Sequence, residues 1–149
     1  MVKDMVQKSY SLILLCLFCF YSTSSTADKL INYTNAVNKA FEDIMFYAKK
    51  KNIVKIEEKT RSIYAYYNMK KDINYYEPLI INNMNITWDS LYKNKIGDFQ
   101  ENIDKAKKGN PESKKAYFTV LEIALERTAL DAYYHYRDKG KYPHDLSNK

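Results

Sequence analysis

Apolar side chains recur every third or fourth residue through four successive stretches of the chain, and strict alternation is absent, so the backbone is expected to be helical throughout. In the first stretch Leu30, Tyr33, Val37, Ala40, Phe41, Ile44 and Ala48 fall on one face, ending at Lys49-Lys50-Lys51-Asn52. The second runs from about Val54 to Tyr76 with Ile56, Ile63, Tyr66, Met69, Ile73 and Tyr76 along its stripe. Pro78 is expected to stop it, because proline disfavours the helical conformation of the residue before it. The third begins near Thr87 and carries Trp88, Tyr92, Ile96, Phe99, Ile103 and Ala106. The strongest local signal follows. Gly109 suits a left-handed C-terminal cap, and Asn110-Pro111-Glu112 supplies an N-cap, a proline at the first helical position and a first-turn acid. The fourth helix then extends to about Asp138, with Gly140 and Pro143 beyond it and Ala116, Val120, Ile123, Leu130 and Tyr134 on its core face. Trp88, Phe99, Ile103, Val120 and Ile123 are expected to be buried, and Lys49 to Lys51 exposed.

Four amphipathic segments joined by short connections predict an all-α, antiparallel up-down-up-down four-helix bundle over residues 28–140, with a flexible tail at 141–149. Residues 1–27 read as a cleavable signal peptide. Lys3 and Lys8 form a basic start, the run Leu12 to Phe20 is apolar, and Ser25 and Ala27 place small side chains where a signal peptidase needs them. The apolar run is too short for a transmembrane helix, which needs ~20 residues. The expected product is therefore secreted or periplasmic and does not span a membrane after cleavage. Cys16 and Cys19 both fall inside the leader, so the mature domain has neither a disulfide nor a thiolate nucleophile.

The charge of +6 among 149 residues is unevenly spread. Residues 49–71 hold eight Lys/Arg against two Glu, and Lys105, Lys107, Lys108, Lys114 and Lys115 surround the turn before the last helix. In the expected topology Lys49, Lys50, Lys51, Lys107 and Lys108 gather at one pole. They suit an anionic surface, such as membrane headgroups, a cell-wall polymer or an acidic protein, or else form an ordinary solvated face. Nucleic acid is not an expected partner of an exported chain. The other pole is aromatic: Tyr33, Tyr75, Tyr76, Trp88, Tyr92, Tyr133, Tyr134, Tyr136 and Tyr142 all map to its half. Tyrosine combines a rigid apolar body with a hydroxyl that reaches water or a ligand, which fits a binding surface. It also fills cores in place of Phe, and both readings stay open. Tyr75, Tyr76, Tyr92, Tyr133 and Tyr136 are the candidate contact residues, with the five lysines as a second, electrostatic surface.

Catalytic and metal patterns are sparse. The three glycines cannot make a phosphate loop. His135 and His144 are the only histidines, too few for a zinc site, and Asp131 with His135, four apart, is expected to be a local ion pair. Glu122 and Glu126 are one turn apart and are expected to face solvent or a basic partner. Arg127, if inside the bundle, would need Glu42 or Asp43, because an unpaired buried charge is costly. Asn32-Tyr33-Thr34 and Asn85-Ile86-Thr87 match the glycosylation pattern at a frequency expected by chance.

The mature length, the short Gly109-Asn110 turn and the aromatic, basic end Ala132-Tyr133-Tyr134-His135-Tyr136-Arg137 resemble the exported four-helix cytochromes of the b562 and c′ type. The resemblance implies a bundle of that shape and makes His135 the position of a haem ligand. The register around His135 differs, Met45 lies far from the start of the first helix, and Cys-x-x-Cys-His is absent. No cofactor is therefore expected. The functional expectation is a non-enzymatic binding protein with a protein partner, such as a secreted effector, inhibitor or immunity protein. The alternative is a carrier of a small ligand or haem at the aromatic end.

Overall fold

The computed structural model describes the backbone of residues 24–146 and the side chains of residues 35–146. The expected leader lies mostly outside the described residues. The chain divides into two units after Asn35, and the second carries the features below. The described residues are helical, with no strand among them. The elements are α1 (Ser24–Lys49), α2 (Ile53–Met69), α3 (Ile73–Leu91), α4 (Lys93–Ile96), α5 (Phe99–Lys107) and α6 (Pro111–Lys139), with 3-10 turns at Lys70–Asp72 and Pro143–Leu146.

The helix ends follow from local chemistry. Asn110 caps α6 by accepting the Ser113 backbone N–H at 2.9 Å, Pro111 opens the helix, and Gly140 closes it in the left-handed conformation. Gly109, at φ 90°, ends α5 in a Schellman turn: its N–H donates to Ala106 O and that of Asn110 to Lys105 O. Lys51 performs the same job between α1 and α2, with its N–H on Ala48 O, that of Asn52 on Tyr47 O, and φ at 54°. A side chain with a Cβ is strained there.

Two expected boundaries are corrected. Pro78 does not end a helix; it stands inside α3. The break lies upstream at Lys70–Asp72, where Asp72 accepts the Tyr75 N–H and starts a new helix. So close to an N-terminus, proline's missing N–H leaves only the Asn74 carbonyl without its intrahelical partner. The expected third helix is also interrupted. Gly97, at φ 91° and ψ −161°, takes a backbone conformation that only glycine holds comfortably, and it separates α4 from α5. Side chains stitch this break. Trp88 Nε1 donates to Gly97 O at 2.9 Å, buried Asn102 donates from Nδ2 to Ile96 O and Asp98 O, and its Oδ1 accepts from Ser113 Oγ at 2.7 Å.

Helix α6 is the element against which α2, α3 and α5 all pack. Its buried residues are small or aliphatic, including Ala116, Val120, Ala124, Ala129 and Ala132, while Tyr66, Met69, Tyr76, Met84 and Trp88 supply the bulk from α2 and α3. Side-chain pairs set the directions. Lys59 meets Glu126 and Arg61 lies over Tyr133, so α2 runs in the same sense as α6. Asn83 meets Thr128 and Tyr76 meets His144, so α3 runs against it. The corner at 70–72 and the C-terminal turn therefore share one end, and the turn at Gly109 marks the other.

Trp88 and Val120 are fully buried as expected, Phe99 and Ile103 are half-buried, and Ile123 is 39% exposed, because the buried face of α6 runs through Leu121 and Ala124 instead. Leu130 and Tyr134 are likewise half-buried. Lys51→Gly removes the left-handed strain without touching a contact and is expected to raise stability by about 1 kcal/mol in denaturant unfolding. An unchanged or lower midpoint would mean that the turn is not held in this conformation.

Candidate functional site

The corner end carries a groove with a cavity volume of about 570 Å³. Tyr75, Tyr76, Leu79, Asn82 and Asn83 of α3 form one wall, Thr128, Asp131, Ala132 and His135 of α6 the other, and Pro143 and Leu146 close the end. Three of the residues singled out from the sequence, Tyr75, Tyr76 and His135, meet here. They do so because α3 starts at Asp72 and runs against α6, which sets the beginning of one helix beside the end of the other.

A buried aromatic floor supports this end. Tyr76 Oη and His144 Nδ1 lie 2.8 Å apart, and Nε2 of the same imidazole is 3.4 Å from Asp145 Oδ1. Burial pushes the Tyr76 phenol up to about 12. Tyr142 stacks between Tyr136, at 4.7 Å, and His144, at 5.6 Å. Its hydroxyl is buried without a hydrogen-bond partner among the described residues, and burial raises its pKa. The expected flexible tail at 141–149 is thus corrected up to Leu146: Tyr142 and His144 are buried, because their rings complete the floor between α3 and α6. Nothing in the sequence pattern marked His144 as a core residue; a Tyr-Pro-His triplet after a helix-ending glycine is the only signal.

The polar groups lining the groove include acceptors, Asp131 among them, and donors, the Asn82 amide and the Tyr75 hydroxyl among them. His135 Nδ1 donates to the Lys141 carbonyl at 2.9 Å, so Nε2 is the ring nitrogen that this bond does not occupy. The expected Asp131–His135 ion pair is replaced by this bond, since Lys141 folds back past Gly140 over the ring. Asp131 is exposed and has no ion-pair partner among the described residues. Asn83 donates from Nδ2 to Thr128 Oγ1 at 2.9 Å, its Oδ1 has no hydrogen-bond donor among the described residues, and Thr128 donates to Ala124 O.

His135 stands in the groove with Asp131 one turn away, and the cavity lining includes no second histidine and no methionine. Nor does any group of three or more His, Cys, Asp or Glu suited to a metal occur among the described residues.

The other candidate residues are dispersed. Tyr133 and Tyr136 belong to the corner end but pack toward Arg61 and Tyr142 rather than the groove. Tyr92 is misplaced by the sequence reading: it packs on Trp88 at 5.2 Å, and Trp88 on Phe99 at 4.8 Å. Because α3 begins at Ile73, Tyr92 lies about 24 Å along it from Tyr76, toward the opposite end. Tyr64, which the sequence reading left out, joins the corner end through its proximity to Tyr142. Tyr33 lies outside the described side chains.

The lysine-rich turns are exposed at Lys49–Lys51 and at Lys107 and Lys108, both directed away from the corner end. The buried cation is Lys59 rather than Arg127, which is exposed. Lys59 Nζ is 2.7 Å from Glu126 Oε2 and 3.5 Å from Asp43 Oδ2, and Asp43 also accepts from Lys39 at 2.9 Å. The cluster ties the end of α1 to α2 and α6. Burial first, and then the charge of Asp43, raise the pKa of neighbouring Glu122.

Comparison with known protein families, characterised proteins and solved structures found no match to this chain. The site is therefore read from its own chemistry.

The two buried phenols differ in one respect that can be measured. Tyr142→Phe removes a hydroxyl without a hydrogen-bond partner among the described residues and is expected to leave stability unchanged or raise it by about 1 kcal/mol, whereas Tyr76→Phe removes the buried contact to His144 Nδ1 and is expected to cost about 1–2 kcal/mol. Equal losses in thermal unfolding would contradict this floor.

Proposed function

We propose that this chain is an exported, non-enzymatic binding protein, an up-down-up-down helical bundle that holds a small, donor-rich organic cation in the groove between α3 and α6. The observation that carries the reading is Asp131, an exposed carboxylate with no ion-pair partner among the described residues, lining a cavity whose wall includes Tyr75. A cation bearing N–H donors satisfies the carboxylate, His135 Nε2 and Asn83 Oδ1 together, and an aromatic wall adds attraction to its charge. The volume lies within the usual range for ligand sites, ~300–1,000 Å³. Export rests on the basic start, the short apolar run and the small residues Ser25 and Ala27.

A protein partner is the second reading, favoured by the exposure of Tyr64, Tyr67, Tyr75 and Tyr136. A lysine or arginine side chain of that partner would use the same groove atoms.

Titration with tyramine and with its uncharged counterpart 4-ethylphenol separates charge recognition from apolar filling. The protein is expected to bind tyramine at least about tenfold more tightly. Asp131→Asn should abolish that preference while leaving the fold intact by circular dichroism. Equal affinity for the two compounds, no binding of either, or an Asp131→Asn protein that still prefers the amine would refute the reading.

A further inference from the structure

The turn between α1 and α2 combines two properties that rarely coincide on a solvated surface. Met45 and Phe46 in the last turn of α1, and Ile53 and Val54 at the start of α2, are all largely exposed; Met45, Ile53 and Val54 are 62%, 68% and 65% open to solvent. The turn itself is Lys49-Lys50-Lys51, with no acidic partner for any of the three among the described residues. The nearby carboxylates are already engaged, Glu58 by Lys55 at 2.7 Å and Glu57 by Arg61 at 3.6 Å. The bond from Asn52 N–H to Tyr47 O closes the turn and draws residues 46 and 53 together. Lys50 Nζ sits 4.5 Å from the centre of the Phe46 ring, so cation and apolar surface are interleaved.

Isolated exposed apolar residues are ordinary, but four of them flanking a closed turn of three lysines with no acidic partner among the described residues are not. Water wets the lysines and gains nothing from the Ile, Val, Met and Phe beside them. An interface with anionic headgroups outside and hydrocarbon just beneath suits both sets at once, since lysines are attracted to the headgroups and apolar side chains insert between them. An acidic protein surface answers the lysines alone. We infer that the α1–α2 tip is a docking element for an anionic lipid surface, on which Phe46, Ile53 and Val54 insert while Lys49, Lys50 and Lys51 contact the headgroups. The groove faces the other end of the bundle, so a docked molecule keeps it turned toward solvent. No described helix is long and apolar enough to cross a membrane.

The test is amine labelling of the whole chain read lysine by lysine by mass spectrometry, with and without vesicles of phosphatidylcholine or of phosphatidylcholine mixed with phosphatidylglycerol. Only the mixed vesicles are expected to protect Lys49, Lys50 and Lys51, while Lys139 and Lys141 near the groove end stay as reactive as in solution. Affinity for the mixed vesicles should fall about fivefold for each of Lys50→Gln and Lys51→Gln, and about tenfold in the Ile53→Ser/Val54→Ser pair. These positions are on the surface, so the variants should fold, which circular dichroism verifies. The proposal is overturned if vesicles are bound with the tip lysines still reactive, if neutral vesicles protect them equally, or if either class of variant binds like the parent. Absence of binding overturns it in favour of an acidic protein partner. Protection that grows with protein concentration in the absence of lipid would instead assign the tip to a second copy of the chain.

Discussion

The structure depends on a difference in side-chain size across one interface. Helix α6 offers alanines, with a few aliphatic residues, along the faces that α2, α3 and α5 cover, and those helices bring the bulk: Tyr66, Met69, Tyr76, Met84 and Trp88. Small residues on a central helix let backbones approach while large rings fill the space between them at normal packing density. Polar ties then fix what apolar packing leaves free. Lys59 with Glu126 sets the height of α2 against α6, Asn83 with Thr128 sets that of α3, and Asn102 with Ser113 sets that of α5. Each tie is at least partly buried, so a slip of one helical turn would strand polar groups at a cost of about 1–3 kcal/mol for each neutral one.

That arrangement produces the groove. Alanine at position 132 and threonine at 128 leave room beside α3 that larger residues would occupy, and the C-terminal turn caps the space with Pro143 and Leu146. The aromatic floor of Tyr76, Tyr142 and His144 keeps that turn in place, so the end of the chain is part of the proposed binding site.

Helical class was readable in the sequence, since apolar spacing survives any error in the boundaries. The caps at Asn110, Gly109 and Gly140 were readable too, because each is dictated by a residue whose conformational preference is local. The middle of the chain was not. Pro78 looked like a stop and Asp72 looked ordinary, yet the helix begins at Asp72, which a side-chain bond to the Tyr75 amide makes an N-cap. Gly97-Asp98 inside an otherwise periodic stretch was the overlooked sign of a break. Those two shifts moved Trp88 and Tyr92 away from the end where Tyr75 and Tyr76 stand. Of the residues picked out as a ring-rich contact surface, Tyr75 and Tyr76 do converge, and His135, picked out as the position of a haem ligand, lines the same groove. Asp131 was visible as a neighbour of His135 but had been assigned to it, and only the fold-back of Lys141 reveals that the carboxylate is unpaired.

The most direct measurement is the unfolding free energy of Ala129→Leu. Position 129 is fully buried on α6, so added methylenes must push apart the helices packed there. The size-difference account predicts a loss of about 1–3 kcal/mol, accompanied by a changed near-ultraviolet aromatic signal. A variant as stable as the parent, with its aromatic signal intact, would mean that α6 is not the close-packed centre and would contradict the account.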